Sequence, residues 1–527
     1  MQMIRQQVIM ATALLAWPTM STAQYAWQEG ADAGKLDLGH NIEYKAEVQA
    51  SVSSDKTPLW LNANKYGLSS LEKQNGYLRG ALERPLRTDS ARRWGVGYGV
   101  DMAVAYNYTS TLVLQQAFVE ARWLHGVLTV GAKQYPMEMK NQTLSSGSQT
   151  LGINARPIPQ VRLALPEYWI VPGFSRWLQF KGHIAYGRYT DGSWQEEFTD
   201  KKVSYNGETL WHSKAGYLRI GNEDRFCPWS FELGLEMAAQ FGGKCYTPQT
   251  DGTVSVEQAG SGVKDFLNVL VPGGQDASDG QYGNVEGNHM GSWLLRLNYD
   301  GEMYGFHLYG DHFFEDHSQM LFVDYNGYGT GEEYMKKKDR KFYIYKLKDM
   351  LVGAEINIKY GTWLRNIVLE YIYTKYQSGP FNHDHTMNIP DHMAGVDDYY
   401  NHGFYHSFQH WGQVIGNPLY RSPIYNSDGT LYVKDNRFQA VHLGFDGQPT
   451  ENLDYRVLAT WQEGLGRYSD PFLRMHHNVS IMVEAAYRFK HNWKVKGAYG
   501  MDFGSKQMLG HNAGFQLTVS KTGVFDL

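Results

Sequence analysis

The chain has 527 residues, among them 37 Tyr, 23 Phe, 15 Trp and 56 Gly but only two Cys, and its formal charge is −5. Mild acidity argues against a nucleic-acid binder, which needs a basic patch. Past the N-terminal segment no apolar run reaches the ~18 residues of a transmembrane helix, while a negative mean hydropathy is compatible with membrane strands that alternate lipid-facing and lumen-facing residues.

Taken in chain order, Arg5 precedes an apolar stretch from Val8 to Trp17 and then Ser21, Thr22 and Ala23. Small residues one and three positions before Gln24 predict a signal peptide cut after Ala23. Residues 24–40 then form a short periplasmic segment, and residues 41–527 the body of the protein. The first strand candidate alternates over its whole length, with Ile42, Tyr44, Ala46, Val48, Ala50 and Val52 on one face and Asn41, Glu43, Lys45, Glu47, Gln49 and Ser51 on the other. The same period of two recurs from Trp94 to Asn107, where Gly95, Gly97 and Gly99 hold the polar face, from Phe231 to Phe241, and from Val479 to Phe503. These runs approach the 9 to 11 residues, roughly, that a tilted strand needs to cross a bilayer.

Connection lengths give a second signal. Short links at Phe489–Asn492, Gly447–Asn452, Tyr360–Thr362 and Tyr299–Glu302 alternate with long ones at Lys375–Asp435, His312–Arg340 and Gly242–Met290, as periplasmic turns alternate with surface loops in outer-membrane barrels. Strand starts are predicted near residues 41, 76, 93, 111, 127, 158, 176, 209, 229, 291, 303, 342, 363, 437, 453, 478, 493 and 511. The segment from Ile158 is included in spite of Pro157 and Pro159. The fold predicted is all-β: a single antiparallel transmembrane β-barrel of about 18 strands, with short periplasmic turns and long extracellular loops folding partly into the lumen. Asn512, Gly514, Leu517 and Val519 have the spacing of a C-terminal barrel-assembly signal. Cys227 and Cys245 flank the ninth strand, tens of ångströms apart at ~3.3 Å per residue, beyond the ~7 Å reach of a disulfide.

Particular stretches carry a family resemblance. Pro58–Gly67, Leu144–Ser148 followed by Asn154–Pro159, His312–Asp316, Glu370 with Thr374, Gln377–Pro380, and Asp398–Asn401 followed by Gly416–Pro418 resemble the Wzi family of capsule-assembly proteins. The resemblance runs through nearly the whole mature chain. It implies an eighteen-stranded outer-membrane barrel that acts as a lectin and holds capsular polysaccharide at the cell surface, without catalysis. Enterobacterial members carry a helical plug before the barrel, whereas only Gln24 to Gly39 precede the first strand here.

Aromatic faces cover the apolar faces of sugars, and Arg, Asn and Asp fix hydroxyls and uronic carboxylates by directional hydrogen bonds. On that chemistry the glycan-binding candidates are Asn154 and Arg156 in one loop and Asp398, Tyr399, Tyr400, Asn401, Trp411 and Arg421 in another. Each could equally pack a loop folded into the barrel. Two His/carboxylate clusters, His312 with Glu315, Asp316 and His317, and His383 with Asp384, His385, Asp391 and His392, lack the helical frame that aims two imidazoles at one ion. No metal and no cofactor is expected, and no nucleophile elbow or phosphate loop is present. The sequence thus supports a monomeric barrel whose partners are surface polysaccharide, outer-membrane lipid and the barrel-assembly machinery. A diffusion porin or glycan-export channel is the alternative, and a barrel enzyme acting on lipid or polysaccharide the weaker third.

Overall fold

The computed structural model describes residues 36–90, 92–171, 173, 176–221, 227–271, 287–315, 322–325, 329–343, 348–382 and 393–527. The signal peptide expected at residues 1–23 and most of the segment before the first strand lie outside them. One closed sheet of eighteen strands dominates. In chain order its strands are β1 (Ile42–Ser53), β2 (Gln74–Arg84), β3 (Trp94–Tyr106), β4 (Leu112–Trp123), β5 (Gly126–Ala132) and β6 (Gln160–Ile170). Then come β7 (Leu178–Arg188), β8 (Leu210–Ile220), β9 (Trp229–Phe241), β10 (Asn288–Asp300), β11 (Tyr304–Glu315) and β12 (Met350–Ile358). The circuit ends with β13 (Asn366–Tyr373), β14 (Phe438–Thr450), β15 (Leu453–Gly466), β16 (Pro471–Arg488), β17 (Trp493–Gly504) and β18 (His511–Phe525). Each strand pairs antiparallel with the next. β18 returns to β1, with Phe525 opposite Ile42 and Gly514 opposite Ser53, so no edge is left unpaired.

Alternation in the sequence becomes two chemically different walls. Val48, Val52, Leu78, Val100 and Val104 point outward, Val104 with 60% of its surface exposed, and form the lipid-facing belt. At the short-turn end this belt finishes in aromatic pairs, Trp94 with Trp123 at 5.9 Å and Trp229 with Tyr299 at 4.8 Å, the girdle expected where rings meet lipid headgroups. Glu47, Gln49, Ser51, Asp101 and Glu120 point inward and are buried. The inward glycines of β3 leave no void: a Cβ on Gly97 would lie 2.7 Å from the Glu120 carboxylate, and one on Gly99 2.7 Å from the Phe118 ring.

Sixteen of the predicted starts agree with the strands to within a few residues, and two do not. Arg340–Tyr343 pairs instead with Phe322–Tyr325 in a hairpin separate from the barrel sheet, and β12 begins at Met350; alternation identifies a strand without naming its partner. β16 begins early, at Pro471, because Gly466 takes φ +78° and closes a tight hairpin whose register shifts by a bulge. β6 begins at Gln160, just past Pro159, consistent with proline's missing donor. Both barrel termini lie at the short-turn end, which is the periplasmic one. Cys227 and Cys245 are free thiols at opposite ends of β9. Among the described residues no helix is long and apolar enough to cross a membrane.

Candidate functional site

Three loop segments from the extracellular end, residues 54–73, 133–159 and 397–437, fold down into the lumen. Their apolar residues, among them Leu59, Trp60, Leu144, Ile158, Tyr399, Tyr400, Phe408 and Tyr420, share one core with inward residues of the wall such as Tyr309, Phe313, Val368, Phe438 and Met482. A loop in that position must find partners for its backbone N–H groups away from bulk water. Inward carboxylates supply them. Leu59 N donates to both oxygens of Asp502 at 3.3 and 3.1 Å. Ser146 N donates to Glu370 at 2.8 Å, with Ser145 Oγ and Tyr309 Oη on its other oxygen, each at 2.6 Å. Asp311 accepts Gln149 N at 3.0 Å and pairs with Lys140 Nζ at 2.6 Å, both side chains being buried.

The 133–159 loop descends through most of the barrel. Its tip is held near the periplasmic ends of the strands, where Arg296 donates to Met139 O, Asn141 to Glu355 and Arg456 to Thr143 O at 2.8, 2.9 and 2.8 Å. A relay ties it to the first loop: Trp60 Nε1 donates to Thr460 Oγ1 at 3.1 Å, Thr460 bonds His442 Nδ1 at 2.7 Å, and His442 Nε2 donates to Leu144 O at 2.8 Å.

Most of the residues singled out from the sequence sit inside this plug. Tyr399 and Tyr400 have 0% exposure; Tyr399 donates to Asp349 at 3.1 Å, and Tyr400 donates to Gln149 O and stacks on Tyr420 at 4.0 Å. Asn401 exchanges hydrogen bonds with the Val433 backbone at 3.0 and 2.8 Å, and Asn154 accepts from Asn64 N and donates to Val414 O, each at 3.0 Å. These four hold loop to loop. Arg156 and Trp411 are brought together, guanidinium over indole at 4.2 Å, with Arg156 also donating to Thr109 and Ser110 at 2.5 and 3.1 Å. Burial lowers the Arg156 pKa to about 10. Arg421 donates to Met508 O at 2.8 Å and Asn426 at 2.6 Å. Asp398 pairs with Arg467 and remains half-buried with Trp411 and Arg421.

Around Asp398 the extracellular rim carries a cation–aromatic surface that sequence reading missed: Arg467 lies over Tyr432 at 4.7 Å, and Arg437 over Tyr468 at 3.5 Å, with Tyr468 43% exposed. Arg437, Arg467 and Tyr468 lie just beyond the Lys375–Asp435 stretch, at strand ends, so its density of aromatic and polar residues does not include them. Of the first His/carboxylate cluster, His312 Nδ1 bonds Asp349 O at 2.6 Å and Glu315 accepts Tyr400 N at 2.5 Å; Asp316, His317 and the second cluster fall outside the described residues. Among the described residues no group of three or more His, Cys, Asp or Glu could hold a metal ion.

Below the plug, between it and the wall from β2 to β9, lies a cavity of 1080 Å³. Its floor reaches the periplasmic turns at Leu86, Arg87, Leu124 and His125, and its roof is Arg156, Trp211 and Ile415. Arg162, Lys133, Glu120 and Glu138 charge its sides.

No protein-family profile matches the sequence, and no curated protein matches it. Among solved structures, the chain is similar to Wzi of Escherichia coli, described as an outer-membrane protein involved in group 1 capsule assembly and a carbohydrate-binding β-barrel, at TM-score 0.53 and 12% identity over 93% of this chain and 86% of that one. It is also aligned with OprD of Pseudomonas aeruginosa at TM-score 0.43 and 8% identity (94% and 98% covered) and with OccAB4 of Acinetobacter baumannii at 0.42 and 10% (93% and 99%). The shared feature is the fold, an outer-membrane β-barrel.

Asp311→Ala leaves the Lys140 ammonium buried without its partner, so the protein is expected to lose about 3–5 kcal/mol, measured by denaturant unfolding in detergent; a loss below about 1 kcal/mol, the range of exposed pairs, would contradict the anchoring role. Burial holds His402 and His406 near pKa 4, below the ordinary 6.5. Both are neutral in the fold, so their contribution is complete above pH 6.5 and is lost as pH falls toward 4. Asp435, pushed up by burial to about 7, works the other way, losing its contribution as pH rises from its ordinary 3.8 to 7. Hydrogen exchange at residues 401–407, corrected for intrinsic rate, is therefore expected to quicken between pH 6.5 and 4, and less so in His406→Gln; equal protection across that range would refute the assignment.

Proposed function

We propose that this protein is a monomeric, non-catalytic barrel that binds capsular or other surface polysaccharide at its extracellular rim and helps its assembly or retention at the cell surface. The observation that carries the reading is the stoppered lumen. Three loops occupy the barrel, share a buried aromatic core with the wall and spend the wall's inward carboxylates on their own backbone, so the outer surface is the face that the barrel offers to a ligand. That surface presents Trp411, Tyr468, Arg437 and the Asp398–Arg467 pair, rings and forked donors of the kind that suit sugars. Support comes as well from the fold shared with a barrel described as carbohydrate-binding and as involved in capsule assembly.

A channel is the second reading, favoured by the cavity that opens toward the periplasmic turns. Arg156 under Trp411 stands between this cavity and the rim, which favours the first reading over an open pore.

The two readings part in one experiment on folded protein in detergent and in planar bilayers. Purified polysaccharide from the source cell surface is expected to bind saturably, with negligible conductance, and Trp411→Ala or Tyr468→Ala to weaken retention about tenfold, equivalent to ~1.4 kcal/mol. Steady ohmic conductance without glycan binding would overturn the proposal.

A further inference from the structure

Inside the cavity one cation stands apart. Lys133 is paired with Glu120 at 2.5 Å, and Lys181 with Glu138. The side chain of Arg162, the third residue of β6, makes neither an ion pair nor a hydrogen bond among the described residues; its guanidinium lies over the Tyr135 ring at 3.8 Å, and its Nε is buried without a partner. The two carboxylates that act on it across the cavity, Glu138 and Glu236, have closer partners: Glu138 pairs with Lys181, and Glu236 accepts from Tyr217 Oη at 2.7 Å and Leu151 N at 3.4 Å. An arginine keeps its charge under all ordinary conditions, and leaving such a charge out of bulk water without a counter-ion is costly.

The wall around Arg162 is shaped to leave room. Thr129 and Ala185 are its neighbours on the adjoining strands, and Ala164 and Ser213 also line the space. Aromatic rings border the same cavity, Tyr168 and Trp169 toward the periplasmic mouth and Tyr66 and Trp211 toward the roof. Its 1080 Å³ sits at the upper end of the roughly 300–1,000 Å³ of ligand pockets. The guanidinium fork matches a carboxylate with two parallel hydrogen bonds, and ring faces suit the apolar side of a pyranose.

We infer that the cavity is a periplasm-facing binding site for a carboxylate-bearing sugar, a uronic acid unit, anchored by the free guanidinium of Arg162. The site is separate from the extracellular rim, with the plug between them, and the inference rests on the cavity alone.

The test is calorimetric titration of the folded protein in detergent with trigalacturonate and, as the neutral control, maltotriose. Trigalacturonate is expected to bind, more weakly as salt is raised, and maltotriose to bind at least tenfold more weakly. Arg162→Gln is expected to weaken trigalacturonate at least tenfold with little change in unfolding temperature, since the side chain loses only its contact with the face of the Tyr135 ring; Ala164→Trp, which fills the cavity from its lining and keeps Arg162, is expected to abolish binding. Equal binding of the two trisaccharides, undiminished binding by Arg162→Gln, or no binding of trigalacturonate at millimolar concentration would each overturn the inference. Retention of the large surface polysaccharide is expected to be unchanged in Arg162→Gln, so failure here and failure of the rim proposal are told apart.

Discussion

A loop drawn into a membrane barrel cannot leave its backbone donors unsatisfied, and the remainder of this structure follows from how that constraint is met. Asp311, Glu370 and Asp502 stand on inward positions of three strands, and each accepts a backbone N–H from a loop that came from the extracellular end. Each also takes a second donor: Tyr309 on the other oxygen of Glu370, Ser480 on Asp502, and Lys140 on the same Asp311 oxygen that accepts Gln149 N. The acceptors are fixed to rigid strands, so the loops they hold take one position. An apolar core then forms in the lumen of a barrel whose inner face reads as polar.

Much of the barrel was legible in the sequence because its two walls differ in chemistry residue by residue. Lipid on one side and a packed interior on the other enforce period two, and closure enforces an even count when both ends lie in the periplasm. Partnership was not legible: Arg340–Tyr343 alternates like a wall strand and pairs in a hairpin of its own. The candidate binding residues show a different limit. Tyr399, Tyr400, Asn401 and Asn154 have the side chains that a glycan site needs, and a plug needs the same ones, aromatic area to exclude water and amides to tie loops together. Composition cannot separate the two uses; burial does. Arg162, by contrast, was hidden between Val161 and Leu163 on a strand, where inward charge is ordinary, and its lack of a partner is visible only in three dimensions.

The plug divides the molecule into two faces with different chemistry. Above it, half-buried and exposed rings and arginines at the rim face the medium around the cell. Below it, a charged cavity reaches the periplasmic turns. Between them stands a thin layer, Arg156 stacked beneath Trp411 and hydrogen-bonded to the β3–β4 turn. The same descending loop that fills the lumen also forms the inner wall of the cavity, through Tyr135 and Glu138. A single chain segment thus underlies the rim through Arg156 and walls the cavity through Tyr135 and Glu138.

The plug stands on the 133–159 loop crossing the barrel to its periplasmic end. Thr143, exposed at the tip with its carbonyl held by Arg456, reports on that most directly. In a Cys227→Ser, Cys245→Ser background, Thr143→Cys would be treated with a bulky membrane-impermeant maleimide on intact cells and again after the periplasm is opened. A cysteine at a periplasm-facing tip is expected to be protected in intact cells and labelled rapidly once the reagent reaches the periplasm. Rapid labelling of intact cells would place the loop on the outer surface and contradict the plugged barrel.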